Sequence, residues 1–350
     1  MTIAGQTAPG DGIVINNTLN IWSNNIVRYI RVRHKEETSN DGIQIWGTNN
    51  IIDHCSISWS GDEHIGFHSN DADRNSTVQW SILSEGIKGM LACYGTHNIT
   101  LHHNLFAHNY NRNPKVGSYD DIIKVFDIVN NVIYNSNNSA TSIQGYNARV
   151  NCIGNYYKIK DLNRLHRYCV VLTGNPPADS VKVYIDNIYG PRVSQGEPIW
   201  NEVRYFADEY GYDVVDEETY RSYTPFDTPP VTIHDPETAY NLVLDNAGAT
   251  LPKRDAVDER IIQETRNGTA SITLSSSESY YRTWAGEQWQ NLTYNNGIAP
   301  TDTDHDGMPD DWELARDLDP NVDDSASDRD NDGYTNIEEY INGLAEQTAG

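Results

Sequence analysis

Three charged residues occupy nearly equivalent places in successive segments of the chain. Asp62, Lys88 and Arg112 follow three similar strand-like segments, at six, seven and eight residues from the polar residue of each segment. Asp41, ten residues after the polar residue of the preceding segment, could extend the row. A carboxylate, a lysine and an arginine held in line suit an extended anionic ligand, with the carboxylates binding a cation. Ordinary surface ion pairing, which any acidic protein shows, is the alternative explanation.

A second set of candidate ligands is acidic and lies near the C-terminus. The stretches "DTDHDGMPDDWE" (302–313) and "DRDNDGYTNIEE" (328–339) both match the EF-hand loop. In that loop, alternate oxygens and a final glutamate surround Ca²⁺, and a glycine makes the sharp turn. The predicted calcium ligands are Asp302, Asp304, Asp306, Asp310 and Glu313 in the first loop, and Asp328, Asp330, Asp332, Asn336 and Glu339 in the second. A solvated acidic tail is the alternative, but it need not place glycine and glutamate twice at the same offsets.

This acidic segment should depend on calcium for its order, because so many carboxylates repel one another without metal. Its affinity could be as weak as about 10⁻⁴ to 10⁻³ M, which is sufficient outside the cell. The segment resembles dockerin-like and thrombospondin type 3-like calcium repeats. That resemblance leaves open whether the segment anchors a partner protein or only stiffens the C-terminus.

A repeat predicts the elements that position the charged row. Seven stretches are alike: "RYIRVR", "DHCSIS", "VQWSIL", "LHHNLF", "IVNNVIY", "CIGNYY" and "YIDNIY". Their marker residues are Arg31, Ser56, Ser81, Asn104, Asn131, Asn155 and Asn187, at spacings of 25, 25, 23, 27, 24 and 32 residues. A period in the twenties indicates a solenoid, whose repeats bury their apolar faces only by stacking. Because the units are strands and turns that lack a leucine-rich repeat consensus, we predict a parallel β-helix.

In such a coil, equivalent residues form columns along the axis, with about 4.8 Å between rungs. We expect the four asparagines to stack at a turn, where asparagine tolerates left-handed dihedrals and its amide can bond to neighbouring coils. The same stacking would carry Asp62, Lys88 and Arg112 to one side of the coil, one rung apart.

The composition agrees with a folded, mostly β protein. The 350 residues are 37% hydrophobic and include 22 tyrosines but only 5 phenylalanines. The formal net charge is −25, and residues 301–340 hold fifteen acids against two bases, which argues against nucleic-acid binding. The sequence contains no run of eighteen apolar residues, so it does not predict a membrane-spanning helix. The four cysteines lack CxxC spacing, so we expect buried thiols rather than a zinc site, with one disulfide as the alternative.

We predict two domains. Residues 1–295 would form the β-helix domain, including long surface loops beyond about residue 195. Within it, residues 253–268 should form a helix packed on the solenoid, because the apolar residues have helical spacing and Gly268 can end the helix. Residues 296–350 would form the EF-hand-like calcium module.

Several motifs resemble those of the pectate lyase family, a group of secreted, right-handed parallel β-helix enzymes. The matching stretches are, in order, "TIAGQTAPGDGI", "DGIQIWG", "IIDHCSISWS", "KGM", "ITLHHNLFAHN" and "NRNP". The resemblance covers about residues 1–190, and "AGATLPKRDAVDERII" is similar to the C-terminal part of bacterial members. It implies an all-β, right-handed parallel β-helix fold and a secreted enzyme. We expect an export signal and an N-terminal cap outside this sequence, because "TIAGQ" already begins as a strand.

The resemblance also implies roles for individual residues. Arg112 in "NRNP" is similar to the family's proton-abstracting arginine, and Lys88 in "KGM" to its substrate-carboxylate lysine. Asp41 and Asp62 fall where the family places calcium-holding acids. The implied reaction is β-elimination on a polyuronate: the C5 proton is abstracted, the C4 glycosidic oxygen leaves and an unsaturated sugar results. Calcium and Lys88 would neutralise the C6 carboxylate and stabilise the developing anion.

An arginine base requires a physical explanation, because an ordinary guanidinium remains protonated near neutral pH. Crowding by Ca²⁺ and Lys88 would favour the neutral form of Arg112. We therefore predict an alkaline optimum and a severe loss of activity in Arg112→Ala.

Two positions depart from the family pattern. Gly117 stands where a second arginine is common, five residues after Arg112, and Lys115 could take over its role in substrate binding. Gly66 stands where a further carboxylate is common. These departures leave open whether the substrate is pectate, pectin or another uronate polymer.

The sequence thus predicts a secreted, calcium-assisted lyase acting on an acidic polysaccharide. One alternative is a β-helix glycoside hydrolase, which would need two or three acids around the scissile bond, whereas the row offers lysine and arginine instead. The other alternative is a non-catalytic polysaccharide-binding module.

Overall fold

Three parallel sheets wind around one apolar core in the computed structural model of the chain, which confirms the predicted parallel β-helix. Successive strands from sheets A, B and C make one coil, and each strand pairs in register with its equivalent in the next coil. The structure describes residues 1–35, 39–68, 75–93, 95–119, 121–137, 140–159, 168–174, 176–177, 180–208 and 211–346.

The strands have the following bounds. Sheet A consists of β1 (Thr2–Ala4), β4 (Asn25–Arg28), β7 (Asn50–Asp53), β10 (Ser76–Gln79), β13 (Ile99–His102), β16 (Lys124–Val129), β19 (Ala148–Ile153) and β22 (Val181–Asp186). Sheet B consists of β2 (Ile13–Ile15), β5 (Ile30–Arg33), β8 (Ser56–Ser58), β11 (Ile82–Ser84), β14 (Leu105–Ala107), β17 (Val132–Tyr134) and β20 (Tyr156–Lys158). Sheet C consists of β3 (Leu19–Ile21), β6 (Ile43–Ile45), β9 (Glu63–Phe67), β12 (Lys88–Ala92), β15 (Lys115–Ser118), β18 (Thr141–Gly145), β21 (Val170–Thr173), β23 (Val203–Asp208) and β24 (Gly211–Val214).

One residue in the left-handed conformation directly follows each sheet A strand from β4 to β22 and makes the sharp turn toward sheet B. These residues are Tyr29, His54, Trp80, His103, Asn130, Gly154 and Asn187, with φ between 46° and 64°. Residues with a side chain pay about 1–2 kcal/mol for this conformation. Ring stacking along the axis offsets part of that cost, since the first four rings stack in sequence at 4.3–5.9 Å between centroids.

The predicted asparagine ladder follows directly after these left-handed residues. Asn131 Oδ1 accepts hydrogen bonds from the backbone N and Nδ2 of Asn104, both at 3.0 Å. Asn155 Oδ1 accepts equivalent bonds from Asn131 at 2.8 and 3.1 Å. Asn104 Oδ1 accepts from the backbone N of Ser81 at 2.9 Å. The ladder therefore satisfies buried backbone donors across coils, while the left-handed dihedral belongs to the preceding residue.

Three members of the predicted column are misplaced by one residue. Asn187 occupies the left-handed position instead of the ladder. Arg31 pairs with Ser56, and Ser56 pairs with Ile82 rather than with Ser81. Arg31 and Ser56 therefore lie one position after the ladder. A polar residue followed by an apolar one occurs at either of two adjacent turn positions, so the pattern alone does not determine the register.

The helices lie outside the coil. Their bounds are α1 (Glu217–Tyr220), α2 (Pro236–Asn246), α3 (Ala256–Asn267), α4 (Glu278–Gln290), α5 (Asp310–Leu314) and α6 (Asn336–Glu346), with single 3₁₀ turns at Gly5–Thr7, Val193–Gln195 and Ile199–Glu202. Helix α3 confirms the helix predicted within 253–268, and Gly268 ends it with φ 69°. The buried guanidinium of Arg33 holds α3 to the coil, through Asp255 at 2.9 Å and Asp258 at 2.8 Å.

The stretch expected to form surface loops beyond about residue 195 is more regular than predicted. It contains β23, which extends sheet C in parallel with β21, and β24, which pairs with β23 in the antiparallel direction. Further along the chain, α2 and α4 were not predicted either. Helix α2 packs against β17 and β20, and it begins with Asp235 as N-cap and proline in its first turn.

The C-terminal segment contacts the beginning of the coil. Arg28 Nη1 donates to Asn342 Oδ1 at 3.0 Å, and Gln6 Nε2 donates to the carbonyl of Ile341 at 3.4 Å. All four cysteines are buried and unpaired. Within the described residues, no helix combines the length and the hydrophobicity needed to cross a bilayer.

Candidate active site

The residues of the predicted charged row lie where the chain enters sheet C. Asp41 and Asp62 precede β6 and β9, Lys88 is the first residue of β12, and Arg112 lies in the turn before β15. Lys115 is the first residue of β15. Because sheet C is parallel and in register, its strand starts stack along one side of the coil.

Three carboxylates lie together in this region. Ligand oxygens of Asp41, Asp62 and Glu63 lie within 4.8 Å of one another. Asp41 and Glu63 are only 2% and 3% exposed, and Asp41 Oδ1 accepts a hydrogen bond from the backbone N of Glu63 at 3.0 Å. Carboxylate oxygens are the donors that Ca²⁺ prefers, so this group fits a calcium ion chemically.

The unusual glycine at position 66 is explained by this group. A Cβ atom on Gly66 would lie 2.0 Å from Asp41 Oδ2 and 2.7 Å from His68 Nε2. His68 Nε2 in turn lies 2.5 Å from Asp41 Oδ2. The space that a longer side chain at position 66 would fill is therefore occupied by the paired side chains of Asp41 and His68.

Each cation of the row is paired with a carboxylate. Lys88 Nζ contacts Asp62, and the Arg112 guanidinium contacts Glu63. Asn111, the residue before Arg112, forms a parallel bridge with Lys88, which places the arginine beside the lysine's strand. Two acidic positions are followed by two basic positions along the row, and the two ion pairs link them.

The backbone of Arg112 is held in a specific conformation. Its φ is 59°, which is uncommon for a residue with a side chain, and its carbonyl accepts a hydrogen bond from the backbone N of Met90 at 2.8 Å. Gly89 permits this approach, because a Cβ there would lie 2.5 Å from the Arg112 carbonyl oxygen. Uncommon backbone conformations that neighbours enforce in this way are typical of functional sites.

Burial shifts the ionisation of the site residues away from the charged forms. It lowers the pKa of Arg112, against the opposing effect of Asp62 and Asp41. Burial also lowers the pKa of Lys115, and the charges of Arg112 and Lys88 lower it further. The pKa of the Asp41 carboxyl is raised by burial, although His68 opposes this shift.

Lys115 rather than Gly117 supplies the further positive charge. A Cβ on Gly117 would lie 2.0 Å from the Gln144 carbonyl oxygen, and the φ of Gly117 is 151°. An arginine is therefore excluded at this position by the adjacent coil. Lys115 pairs with Leu91, and Leu91 pairs with Gly66, so Lys115 lies in the same column of sheet C as Gly66, two strands further along.

Sequence reasoning missed two residues of this site, Glu63 and His68. Glu63 follows Asp62 directly, so its charge was visible, but nothing in the spacing showed that both neighbours point toward Asp41. His68 directly follows β9, the strand that contains Gly66. Its position next to Asp41 depends on a contact between coils.

The first C-terminal loop also brings carboxylates together. Oxygens of Asp302, Asp304 and Asp306 form one group within 4.8 Å, and Asp306, Glu313 and Asp324 form another. Glu313 is 0% exposed, and neither of its carboxylate oxygens has a hydrogen-bond partner. Desolvation, together with the smaller effect of the neighbouring acids, raises the pKa of Glu313 to about 7. A buried carboxylate without a partner among other acids fits a cation.

One predicted ligand of this loop is used differently. The Asp310 carboxylate accepts hydrogen bonds from the backbone N and Oγ1 of Thr303, at 2.8 and 2.7 Å, at the start of α5. It is therefore a loop-stabilising residue and lies outside both carboxylate groups. Asp324, which the sequence did not indicate, stands beside Glu313 instead.

The second loop repeats the geometry of the first only in part. Asp328, Asp330 and Asp332 form a group within 4.8 Å, which does not include the predicted ligand Glu339. Asn336 donates its Nδ2 to the backbone O and Oδ1 of Asp324 at 3.0 and 3.1 Å, a contact that does not involve the Oδ1 of Asn336, the atom that would bind a cation.

The turns of the two loops nevertheless have matching geometry. Gly307 and Gly333 have φ of 98° and 101°, and their backbone N atoms donate to Asp302 Oδ2 and Asp328 Oδ2 at 3.1 and 3.0 Å. The sharp glycine turn that the sequence predicted at position 6 is therefore present in both loops.

Grouped carboxylates, two lysines and an arginine over one sheet define a parallel β-helix protein with a site for an acidic ligand. No family model matches the chain. The probable pectate lyase C of Emericella nidulans is 34% identical over 360 residues, covering 98% of this chain and 77% of that protein. The probable pectate lyase C of Aspergillus oryzae is 34% identical over 363 residues, covering 98% and 78%.

The chain therefore belongs to the pectate lyase family, and it is a polysaccharide lyase. Among solved structures, the thermostable pectate lyase PL 47 aligns with a TM-score of 0.49 at 15% identity, covering 69% of this chain and 66% of that one. A pectate lyase from Acidovorax avenae aligns with a TM-score of 0.46 at 12% identity, covering 69% and 63%.

Proposed function

We propose that the protein is a secreted lyase that cleaves pectate, or a closely related polyuronate, by calcium-assisted β-elimination into unsaturated oligosaccharides. The observation that carries this proposal is that Arg112 and Lys88 contact a group of three carboxylates at the edge of sheet C. A polyuronate is an extracellular polymer, which is why we place the enzyme outside the cell.

The reaction requires positive charge beside the sugar's carboxylate. Removal of the C5 proton places a second negative charge next to the C6 carboxylate, so the transition state needs cations held in advance. Asp41, Asp62 and Glu63 would hold Ca²⁺, which supplies part of this positive charge when bound. Lys88, beside Asp62, supplies a further positive charge at the same place.

Arg112 is the proposed base. It takes the C5 proton in its neutral form, and the electrons of the C–H bond form the C4–C5 double bond as the C4 oxygen leaves. Burial lowers the pKa of Arg112 and so makes the neutral form more accessible, while the adjacent carboxylates oppose this. Its fixed backbone position keeps the guanidinium beside Lys88.

Lys115 is the proposed substrate-binding cation. It lies at the start of the next strand, close enough to Arg112 and Lys88 for their charges to lower its pKa. A lysine in this position would bind the carboxylate of a neighbouring sugar in the polymer.

We further propose that residues 296–350 form a separate calcium module. Its first site would use Asp302, Asp304, Asp306, Glu313 and Asp324, because the buried Glu313 carboxylate has no protein partner. Its second site would use Asp328, Asp330 and Asp332. The module could bind a partner protein as well as stiffen the C-terminus.

The test is an ultraviolet assay for the unsaturated product, run on pectate and pectin with added calcium and with a chelator. A lyase produces absorbance. Reducing ends without absorbance would indicate a hydrolase, and binding without either product would indicate a non-catalytic module.

The matched pair of variants is Arg112→Ala and Arg282→Ala, the latter on the surface of α4. We expect Arg112→Ala to lose at least a thousandfold in turnover, as for removal of a group that acts directly in proton transfer. Arg282→Ala should keep wild-type turnover. Near-normal turnover of Arg112→Ala would show that Arg112 is not the base.

A further inference from the structure

We infer that Trp22, Trp46 and His68 form an aromatic platform that binds a sugar ring of the acidic polysaccharide beside the active site. The inference rests on the proposed function, since it extends the proposed substrate-binding surface by one subsite. The platform lies at the ends of strands β3, β6 and β9, whereas the charged row lies at the starts of the sheet C strands.

The three rings form a continuous stack. The centroids of Trp22 and Trp46 are 6.2 Å apart, and those of Trp46 and His68 are 4.9 Å apart, with ring planes inclined by 29° and 25°. Trp22 is 66% exposed and Trp46 is 37% exposed. Adjacent tryptophans left in water on an otherwise polar surface indicate a binding site, because their burial against a ligand is favourable.

The platform is continuous with the proposed active site through His68. Its Nε2 atom lies 2.5 Å from Asp41 Oδ2, and Asp41 belongs to the carboxylate group. Successive rungs of the coil are about 4.8 Å apart, so Trp22 lies about 10 Å along the axis from His68. A polymer that crosses sheet C obliquely, from the charged row at the strand starts toward the strand ends, would therefore meet the two tryptophans next.

The sheet between these two edges provides a polar floor. Asn20, Gln44 and Gly66 are paired in one column of sheet C, and the column continues through β12 to Lys115. Asn20 Oδ1 accepts a hydrogen bond from Trp46 Nε1 at 3.1 Å, which fixes the orientation of the indole. The exposed amide of Asn20 and the half-buried amide of Gln44 can bond to sugar hydroxyls.

The chemistry of the surroundings favours a uronate as the occupant. A pyranose presents C–H groups on its face, which suit an aromatic ring, while its carboxylate projects at the edge. The basic residues of the charged row can then bind carboxylates of the same chain. A hydrophobic protein partner would use the tryptophans but would leave Lys88 and Lys115 unused.

The test uses Trp22→Ala, Trp46→Ala and the double variant, with Trp22→Phe as the variant that keeps a ring. Ile298→Ala, at a side chain that is 94% exposed, is the control for loss of an exposed apolar group. Steady-state kinetics would be measured on oligogalacturonates of increasing length and on polygalacturonate. Binding would be measured by retardation in gels that contain polygalacturonate, with each variant also placed in the Arg112→Ala background so that the polymer stays intact.

We expect each alanine variant to raise KM for long substrates by about three- to tenfold, with kcat within about twofold, and to lose gel retardation by a similar factor. The shortest cleaved oligomer should be affected least, because it does not reach the platform. Trp22→Phe should retain most of the binding, and Ile298→Ala all of it. A polymer-induced fluorescence change should also be smaller in Trp22→Phe than in the wild type.

If KM, gel retardation and the fluorescence change are the same in the double variant as in the wild type, the platform does not bind the polymer. This result would leave the lyase function intact. A change in sedimentation of the tryptophan variants without a change in polymer binding would overturn it in favour of self-association. If the wild type cleaves no polyuronate, the proposed function fails, and the gel and fluorescence measurements still decide whether the tryptophans bind the polymer.

Discussion

The substitution Gly66→Ala tests the geometry of the carboxylate group. The added Cβ would lie 2.0 Å from Asp41 Oδ2 and 2.7 Å from His68 Nε2, against an ordinary contact of at least 3.4 Å. The Asp41 carboxylate must therefore move by roughly 1 Å or more, which breaks its 2.5 Å contact with His68. A displacement of about 1 Å at a catalytic site costs on the order of a hundredfold in rate.

We expect Gly66→Ala to lower kcat/KM on polygalacturonate about a hundredfold, to shift the calcium dependence of activity to higher concentrations, and to lower the free energy of unfolding by about 1–3 kcal/mol. The assays are product absorbance across a calcium titration and chemical denaturation. Gly286→Ala in α4 is the matched control, since a Cβ there meets no atom within 4 Å and alanine favours a helix. Activity of Gly66→Ala within threefold of the wild type, at unchanged calcium dependence, would refute the assignment of Asp41 to the site.

Three further predictions concern other parts of the molecule. The neutral guanidinium of Arg112 is the reactive form, and burial lowers the pKa of Arg112. We therefore expect kcat to rise with pH above neutrality, and a flat pH–rate profile would contradict this. Asp324→Asn should weaken calcium binding to the full-length protein at least about tenfold, as measured by calorimetry. Asp310→Asn should weaken it much less, because the Asp310 carboxylate accepts hydrogen bonds from Thr303. Equal effects of the two variants would contradict the proposed set of ligands. Burial lowers the pKa of His102 to about 4 and of His103 to about 3, so the unfolded state binds more protons than the folded state below pH 6.5. The free energy of unfolding should therefore fall by about 3 kcal/mol or more between pH 6.5 and 4. A denaturation midpoint that does not change with pH in this range would contradict this prediction.

Spacing predicted the β-helix because the repeat directly reflects the length of one coil. It placed Ser81, Asn104, Asn131 and Asn155 in one ladder correctly, since their amides bond coil to coil. It misplaced Asn187 by one residue, because adjacent turn positions share the same polar–apolar pattern. The helical spacing and final glycine of α3 were also sufficient, while the Asp235–Pro236 start signal of α2 was present in the sequence but was not used.

For the two metal-ligand sets, residue type was more informative than position in a motif. Asp41 and Asp62 were predicted from the row and do lie together, but Glu63 completes the group. In the C-terminal segment, Asp310 accepts hydrogen bonds from Thr303 and Asn336 donates to Asp324, so the ligand roles that their loop positions indicated stay predictions.

The amino-acid sequence by itself determined that this chain stacks as a solenoid, that its charges recur on one side, and that its C-terminal loops turn at glycines, because all three are local or periodic properties. Only the tertiary structure decided which carboxylates meet, that the adjacent coil leaves no space for a side chain at Gly117, and that two tryptophans stack at the ends of the first sheet C strands. Those outcomes depend on side chains from different coils converging within a few ångströms, and spacing along the chain does not contain that information.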